Sequence, residues 1–145
     1  MYKPLLAAAG AVLLLTACGD RSQAVIAAAS PATAQPARNF MVFFPNDRAD
    51  VTSDGDTVVH EAAMVARANP ATRITVAGHA DTFGNGPYNA TLSQRRADAV
   101  REALVRDGVN ETQIAVVAHG EDHLLVSTKD GVREPKNRRV EIIVQ

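Results

Sequence analysis

The segment 78–101, GHADTFGNGPYNATLSQRRADAVR, decides how this chain is read. It opens where a short apolar run, Ile74-Thr75-Val76-Ala77, ends in a glycine, the pattern of a strand reaching its turn. It crosses a loop of turn-formers, Thr82-Phe83-Gly84-Asn85-Gly86-Pro87, and then enters a strongly patterned helix. Leu92, Arg96 and Val100 recur at four-residue spacing and share one face of that helix. An arginine on an apolar stripe is unfavourable unless something acidic meets it. Asp81, just past the strand, is the nearest candidate.

Outward from this segment the pattern alternates strand and helix. Residues 39–44 (NFMVFF) form a short β run stopped by Pro45-Asn46-Asp47. Thr52 and Ser53 offer N-caps to a helix whose inner face is Val58, Val59, Ala62, Val65 and Ala66, ended by Asn69-Pro70. Residues 73–78 form the second strand. The central helix is expected to start between Asn89 and Ser93, with Thr91 and Gln94 as a capping box, and to run to Asp107 with Gly108 at C′. Residues 114–118 are wholly apolar, which predicts a strand interior to the sheet. A polar loop over 129–136 with one helical turn leads to a last strand over 139–144. The order βαβαβ(loop)β predicts a two-layer α/β sandwich, two helices on one face of a mixed four-stranded sheet.

The first 38 residues read as an address. Lys3 precedes an apolar run, Leu5 to Leu15, too short for the roughly 20 apolar residues a bilayer crossing needs. Leu15-Thr16-Ala17-Cys18 resembles the lipobox of bacterial lipoproteins. That resemblance implies a signal peptide over 1–17, cleaved before Cys18, and acyl chains on Cys18 as a membrane anchor. Gly19 rather than an aspartate follows, which by the same resemblance favours the outer membrane. Residues 18–38, rich in Ala, Pro and Ser, read as a tether spanning roughly 25 Å as a coil, and 39–145 as the folded domain.

Composition narrows the function classes. Aromatic residues are 4% and Trp is absent, unlike an aromatic-lined carbohydrate-binding sandwich. A net charge of −1 shows no nucleic-acid footprint. A single Cys excludes an internal disulfide. Ser93 lacks a nucleophile elbow, and Gly84-Asn85-Gly86 matches neither a phosphate loop nor a dinucleotide fingerprint.

Gly78-His79-Ala80-Asp81, Gly84, Tyr88-Asn89, Leu92-Ser93, Arg95-Arg96-Ala97, Val100, Gly108-Val109, Gly120-Glu121 and Asn137-Arg138-Arg139-Val140-Glu141 together resemble the OmpA C-terminal domain family. That family includes the peptidoglycan-associated lipoproteins and the flagellar stator protein MotB, and the match covers residues 40–145. The resemblance implies a non-enzymatic, cofactor-free domain that binds peptidoglycan through the diaminopimelate of its stem peptide. Asp81 and Arg96 match the two residues that grip that amino acid. A carboxylate can accept from its ammonium while a guanidinium takes its carboxylate. Asp47, Asn89 and Leu92 complete the candidate contacts, with helix N-terminal amides near Asn89 favouring an anionic group. Ala80 replaces the family's threonine, and Pro45-Asn46-Asp47 replaces the usual acidic residue near that proline.

Two other classes stay open on the residues. His79 with Asp81, and His119 with Glu121 and His123, lie at two strand ends where a wall-peptide hydrolase could place zinc. The spacing matches no familiar ligand set, so a solvated rim is the expected setting. A protein-interaction module of the envelope is the other. Arg138-Arg139 fits a phosphate or partner contact or, as the preferred reading, charge guarding an edge strand.

Overall fold

The computed structural model describes residues 36–145. The expected signal peptide, Cys18 and nearly all of the tether lie outside the described residues. Strands β1 (Arg38–Phe43), β2 (Ile74–Gly78), β3 (Ile114–Ala118) and β4 (Arg139–Val144) form one sheet in the order β1-β4-β2-β3. β4 is antiparallel to both β1 and β2, and β2 is parallel to β3. Helix α1 (Ser53–Arg67) connects β1 to β2, and α2 (Gly86–Arg106) connects β2 to β3. Both crossovers step the same way along the sheet, so one handedness puts both helices on one face. This is the two-helix, mixed four-stranded sandwich that the pattern predicts.

The register sorts the strand residues by face. Val42, Val140, Val76 and Ile142 point toward the helices and are fully buried, with Ile74 and Val144 beside them. Each such side chain contributes roughly 1.5–3 kcal/mol on leaving water. Helix α1 buries Val59, Ala62, Ala63 and Ala66, small residues that let it lie close to the sheet. Its N-cap is Thr52, whose hydroxyl accepts from the Gly55 N–H at 3.2 Å. Helix α2 lies closer still. A Cβ at Gly78 would run into the Ser93 carbonyl, so only glycine fits where β2 passes under α2.

Three expectations are corrected. α2 starts at Gly86, not between Asn89 and Ser93, because Asn85 caps it: its side chain accepts from the Tyr88 N–H at 2.9 Å, with Pro87 in the first turn. Thr91 instead donates to the Pro87 carbonyl at 3.0 Å, inside the helix. β3 is an edge strand, not an interior one. Its outward residues are Ala115 and Val117, and an apolar run this short does not reveal its neighbours. β4 is an interior strand, paired on both sides, so Arg138-Arg139 guards no edge. The C-terminus of α2 matches expectation, with Gly108 following it at φ 91°.

Candidate functional site

The loops after β1 and β2, the start of α2 and the segment before β4 meet at one end of the sheet. They enclose a cavity of about 260 Å³, lined by Asn46, Asp47, Asp81, Phe83, Gly84, Tyr88, Asn89, Leu92, Arg96, Arg133 and Arg138. The expected Asp81, Arg96, Asp47, Asn89 and Leu92 all line it. The resemblance-based candidate set therefore converges in space, although its members span 50 residues of sequence.

Arg96 forms the floor. It is fully buried, and three backbone carbonyls hold its guanidinium: Nε donates to Arg48 O at 2.8 Å, Nη1 to His79 O at 3.1 Å and Nη2 to Pro45 O at 3.1 Å. Its Cζ also lies 5.4 Å from the centroid of the Phe44 ring. Burial, with Arg138 nearby, lowers its pKa to about 10, against the opposing pull of Asp81 and Asp47. The group is charged at neutral pH. A guanidinium has five N–H donors, and three carbonyls leave two to spare. The arginine on the apolar stripe is thus met by main-chain oxygens rather than by an acid.

Asp81 does not bond to Arg96. Its Oδ2 accepts from Arg138 Nη1 at 3.2 Å and from the Glu134 N–H at 3.1 Å. Among the described residues its Oδ1 has no hydrogen bond. Arg138 is anchored in turn by Nε donating to Phe44 O at 3.2 Å. Its side chain keeps 12% exposure, against 6% for Asp81. The acid and the floor arginine thus face one cavity with a second arginine between sequence-distant loops. Sequence reasoning leaves Arg138 open as a phosphate or partner contact and leans toward charge guarding an edge strand; the strand order removes that edge, and Arg138 lines the cavity.

The remaining walls come from the loops. Asn89 is 1% exposed; its Nδ2 donates to Asp81 O at 3.1 Å and to Glu121 Oε2 at 2.5 Å, while its buried Oδ1 has no partner among the described residues. Asn89 lies in the first turn but behind the cap, so the free amides of α2 belong to the Gly86 end, not to Asn89. Asp47 stands at φ 56°, a left-handed conformation that aspartate tolerates better than most residues, and it accepts from the Tyr88 hydroxyl. That bond raises the Tyr88 pKa. Ser93 is a scaffold group: its hydroxyl donates to Ala90 O at 2.8 Å and accepts from the Gly120 N–H at 3.0 Å.

His79, His119 and His123 gather on the sheet face away from the helices, beside Glu141; His123 is exposed, as a solvated rim predicts, whereas His79 is buried. His79 is 4% exposed and stacks on His119 with centroids 5.0 Å apart, and His119 contacts His123 at 4.3 Å. Among the described residues neither ring nitrogen of His79 has a hydrogen-bond partner; Glu141 Oε1, at 3.9 Å, is tied to Arg139 at 2.6 Å. Among the described residues no group of three or more His, Cys, Asp or Glu is arranged to hold a metal ion.

Comparison with known proteins agrees with this architecture. The family model for the OmpA family matches residues 43–138. The chain is 44% identical over 115 residues to an outer membrane protein of Gluconacetobacter diazotrophicus, covering 75% of this chain and 30% of that protein. It therefore spans under a third of that relative. It is 33% identical over 139 residues to a peptidoglycan-associated lipoprotein of Pasteurella multocida, covering 93% of each. The crystal structure of the peptidoglycan-associated lipoprotein from Burkholderia pseudomallei superimposes with a TM-score of 0.68 at 29% identity, covering 73% of this chain and 90% of that one. The chain belongs to the OmpA family.

Proposed function

We propose that this chain is an outer-membrane lipoprotein that binds peptidoglycan without catalysis, gripping the free end of diaminopimelate and tying envelope to wall. The observation that carries the reading is the opposed charge in one small cavity: Asp81 on the wall, with Oδ1 uncommitted, and Arg96 on the floor, with two N–H groups to spare. The free end of meso-diaminopimelate bears an ammonium and a carboxylate on one carbon. The ammonium donates to Asp81, and the carboxylate accepts from Arg96 and Arg138. Asn89 Oδ1, an acceptor lacking a partner, takes a further ammonium or amide N–H. About 260 Å³ is below the ~300–1,000 Å³ of drug-sized sites and suits one amino-acid end rather than a sugar chain. The relatives named as peptidoglycan-associated lipoproteins, one matched over 93% of its length, support both the ligand and the lipid on Cys18. The test is co-sedimentation of purified domain with isolated sacculi. Wild type pellets with the wall material, whereas Asp81→Asn, checked as folded by circular dichroism, stays in the supernatant; equal pelleting of the two overturns the reading.

A further inference from the structure

The rim of the cavity carries a feature that the zwitterion does not use. Thr82 is the hub of the loop over 128–134. Its hydroxyl lies 2.6 Å from Lys129 O, 3.0 Å from Thr128 Oγ1 and 3.2 Å from the Val132 N–H, and its carbonyl accepts from the Gly131 N–H at 2.8 Å. On the far side the Glu134 N–H is fixed to Asp81 at 3.1 Å. Arg133 is therefore held between two pinned residues. Its guanidinium carbon lies 4.0 Å from the centroid of Phe83, which is itself 42% exposed at the cavity mouth.

Stacking on an aromatic face orients a guanidinium and leaves its edge, with its N–H fork, open. Among the described residues no carboxylate lies within salt-bridge distance of Arg133. The charges lining the cavity are three arginines against two aspartates. A zwitterion brings no net charge, so it leaves one cation over. We propose that Arg133, backed by Phe83, is a specificity residue that takes a second carboxylate of the ligand, beside the diaminopimelate end. In a stem peptide such a group is the α-carboxylate of the γ-linked glutamate or the C-terminal carboxylate, and conversion to the amide removes it. This inference rests on the peptidoglycan reading above.

Three synthetic peptides of N-acetyl-γ-glutamyl-meso-diaminopimelyl-alanine type separate the cases: both outer carboxylates free, the glutamate amidated, or the C-terminus amidated. Each keeps the zwitterion. Isothermal titration of the full folded domain is expected to show that one amidation weakens wild type about fivefold, the size of a single well-oriented exposed ion pair. Which amidation does so identifies the carboxylate. Arg133→Gln binds the free-acid peptide about as weakly as wild type binds that amide and no longer distinguishes the two. Phe83→Leu, which keeps the charge and loses the stacked face, discriminates less than wild type. If both amidated peptides bind wild type as well as the acid, or Arg133→Gln keeps the wild-type ratio, the role of Arg133 is overturned while the clamp stands. If wild type binds none of the three, the peptidoglycan reading itself falls.

Discussion

Asp81 and Arg138, 57 residues apart, meet at 3.2 Å on the wall of the cavity, where Arg138 occupies one carboxylate oxygen and leaves the other free. The pair is nearly dry, with side-chain exposures of 6% and 12%. Removing one partner of such a pair strands the other charge, at a cost on the order of 3 kcal/mol. Asp81→Asn should therefore destabilise the domain as well as abolish wall binding. Arg138→Gln added to it should return part of the stability and none of the binding. A double-mutant cycle by urea denaturation checks this; strictly additive losses contradict the pairing.

Gly78→Ala tests the contact between β2 and α2. The added methyl meets the Ser93 carbonyl, backbone on the neighbouring helix that a rotamer change cannot move aside. A loss of about 3 kcal/mol or more is expected, read as a fall in Tm of roughly ten degrees or beyond. A Tm within two degrees of wild type contradicts this packing.

The start of α2 is tested at its cap. Asn85→Ala removes the acceptor for the Tyr88 N–H and should cost about 1 kcal/mol. Thr91→Ala lies past the first turn and should cost less than half of that. The reverse order of losses would place the helix start near Asn89 instead.

His79 gives the fold an acid limit. Burial, then the nearby Arg139, lowers its pKa to about 4, with Glu141 opposing and His119 adding to the shift. In the unfolded chain an imidazole titrates near ~6.5. Between those values the unfolded state takes a proton that the folded state refuses. The stability set by this group is therefore full above pH 6.5, falls as pH drops toward 4, and levels off below it. Urea midpoints at pH 7 and pH 5 should differ more in wild type than in His79→Phe, whose ring can stack on His119 without titrating. Identical pH dependence in the two rules out His79 as the source.

Cys18 carries the proposed anchor. In cells producing the full chain, wild type should sediment with outer-membrane vesicles and Cys18→Ala should appear in the soluble periplasmic fraction. Membrane retention of the variant contradicts lipid anchoring.

The strands, both helices and the sandwich were legible because period and punctuation are local signals. The wholly apolar run marked 114–118 as a strand, and Asn69-Pro70 marked the end of α1. Strand order was not legible. β3 reads as a wholly apolar interior strand and β4 as an edge guarded by charge, and only tertiary pairing puts β4 inside the sheet, with Val140 and Ile142 buried and Arg138 delivered to Asp81. The same limit applies to the site. The stripe of Leu92, Arg96 and Val100 announced a buried arginine, but nothing local says that carbonyls from residues 45, 48 and 79 would hold it. The cap at Asn85 was missed for another reason, because Thr91 with Gln94 offered a competing signal a few residues later. Phe83 and Arg133 are adjacent only through the loop that Thr82 ties down.

The clamp is tested most directly by calorimetric titration of two matched stem peptides, one carrying meso-diaminopimelate and one carrying lysine at the same position. Lysine keeps the ammonium and lacks the carboxylate beside it, so it can satisfy Asp81 but brings no acceptor to the remaining N–H groups of Arg96 and Arg138. The diaminopimelate peptide should bind at least about tenfold more tightly, the value of one lost charge-assisted hydrogen bond at a buried site. Equal affinity for the two peptides would contradict recognition of the zwitterion by Asp81 and Arg96.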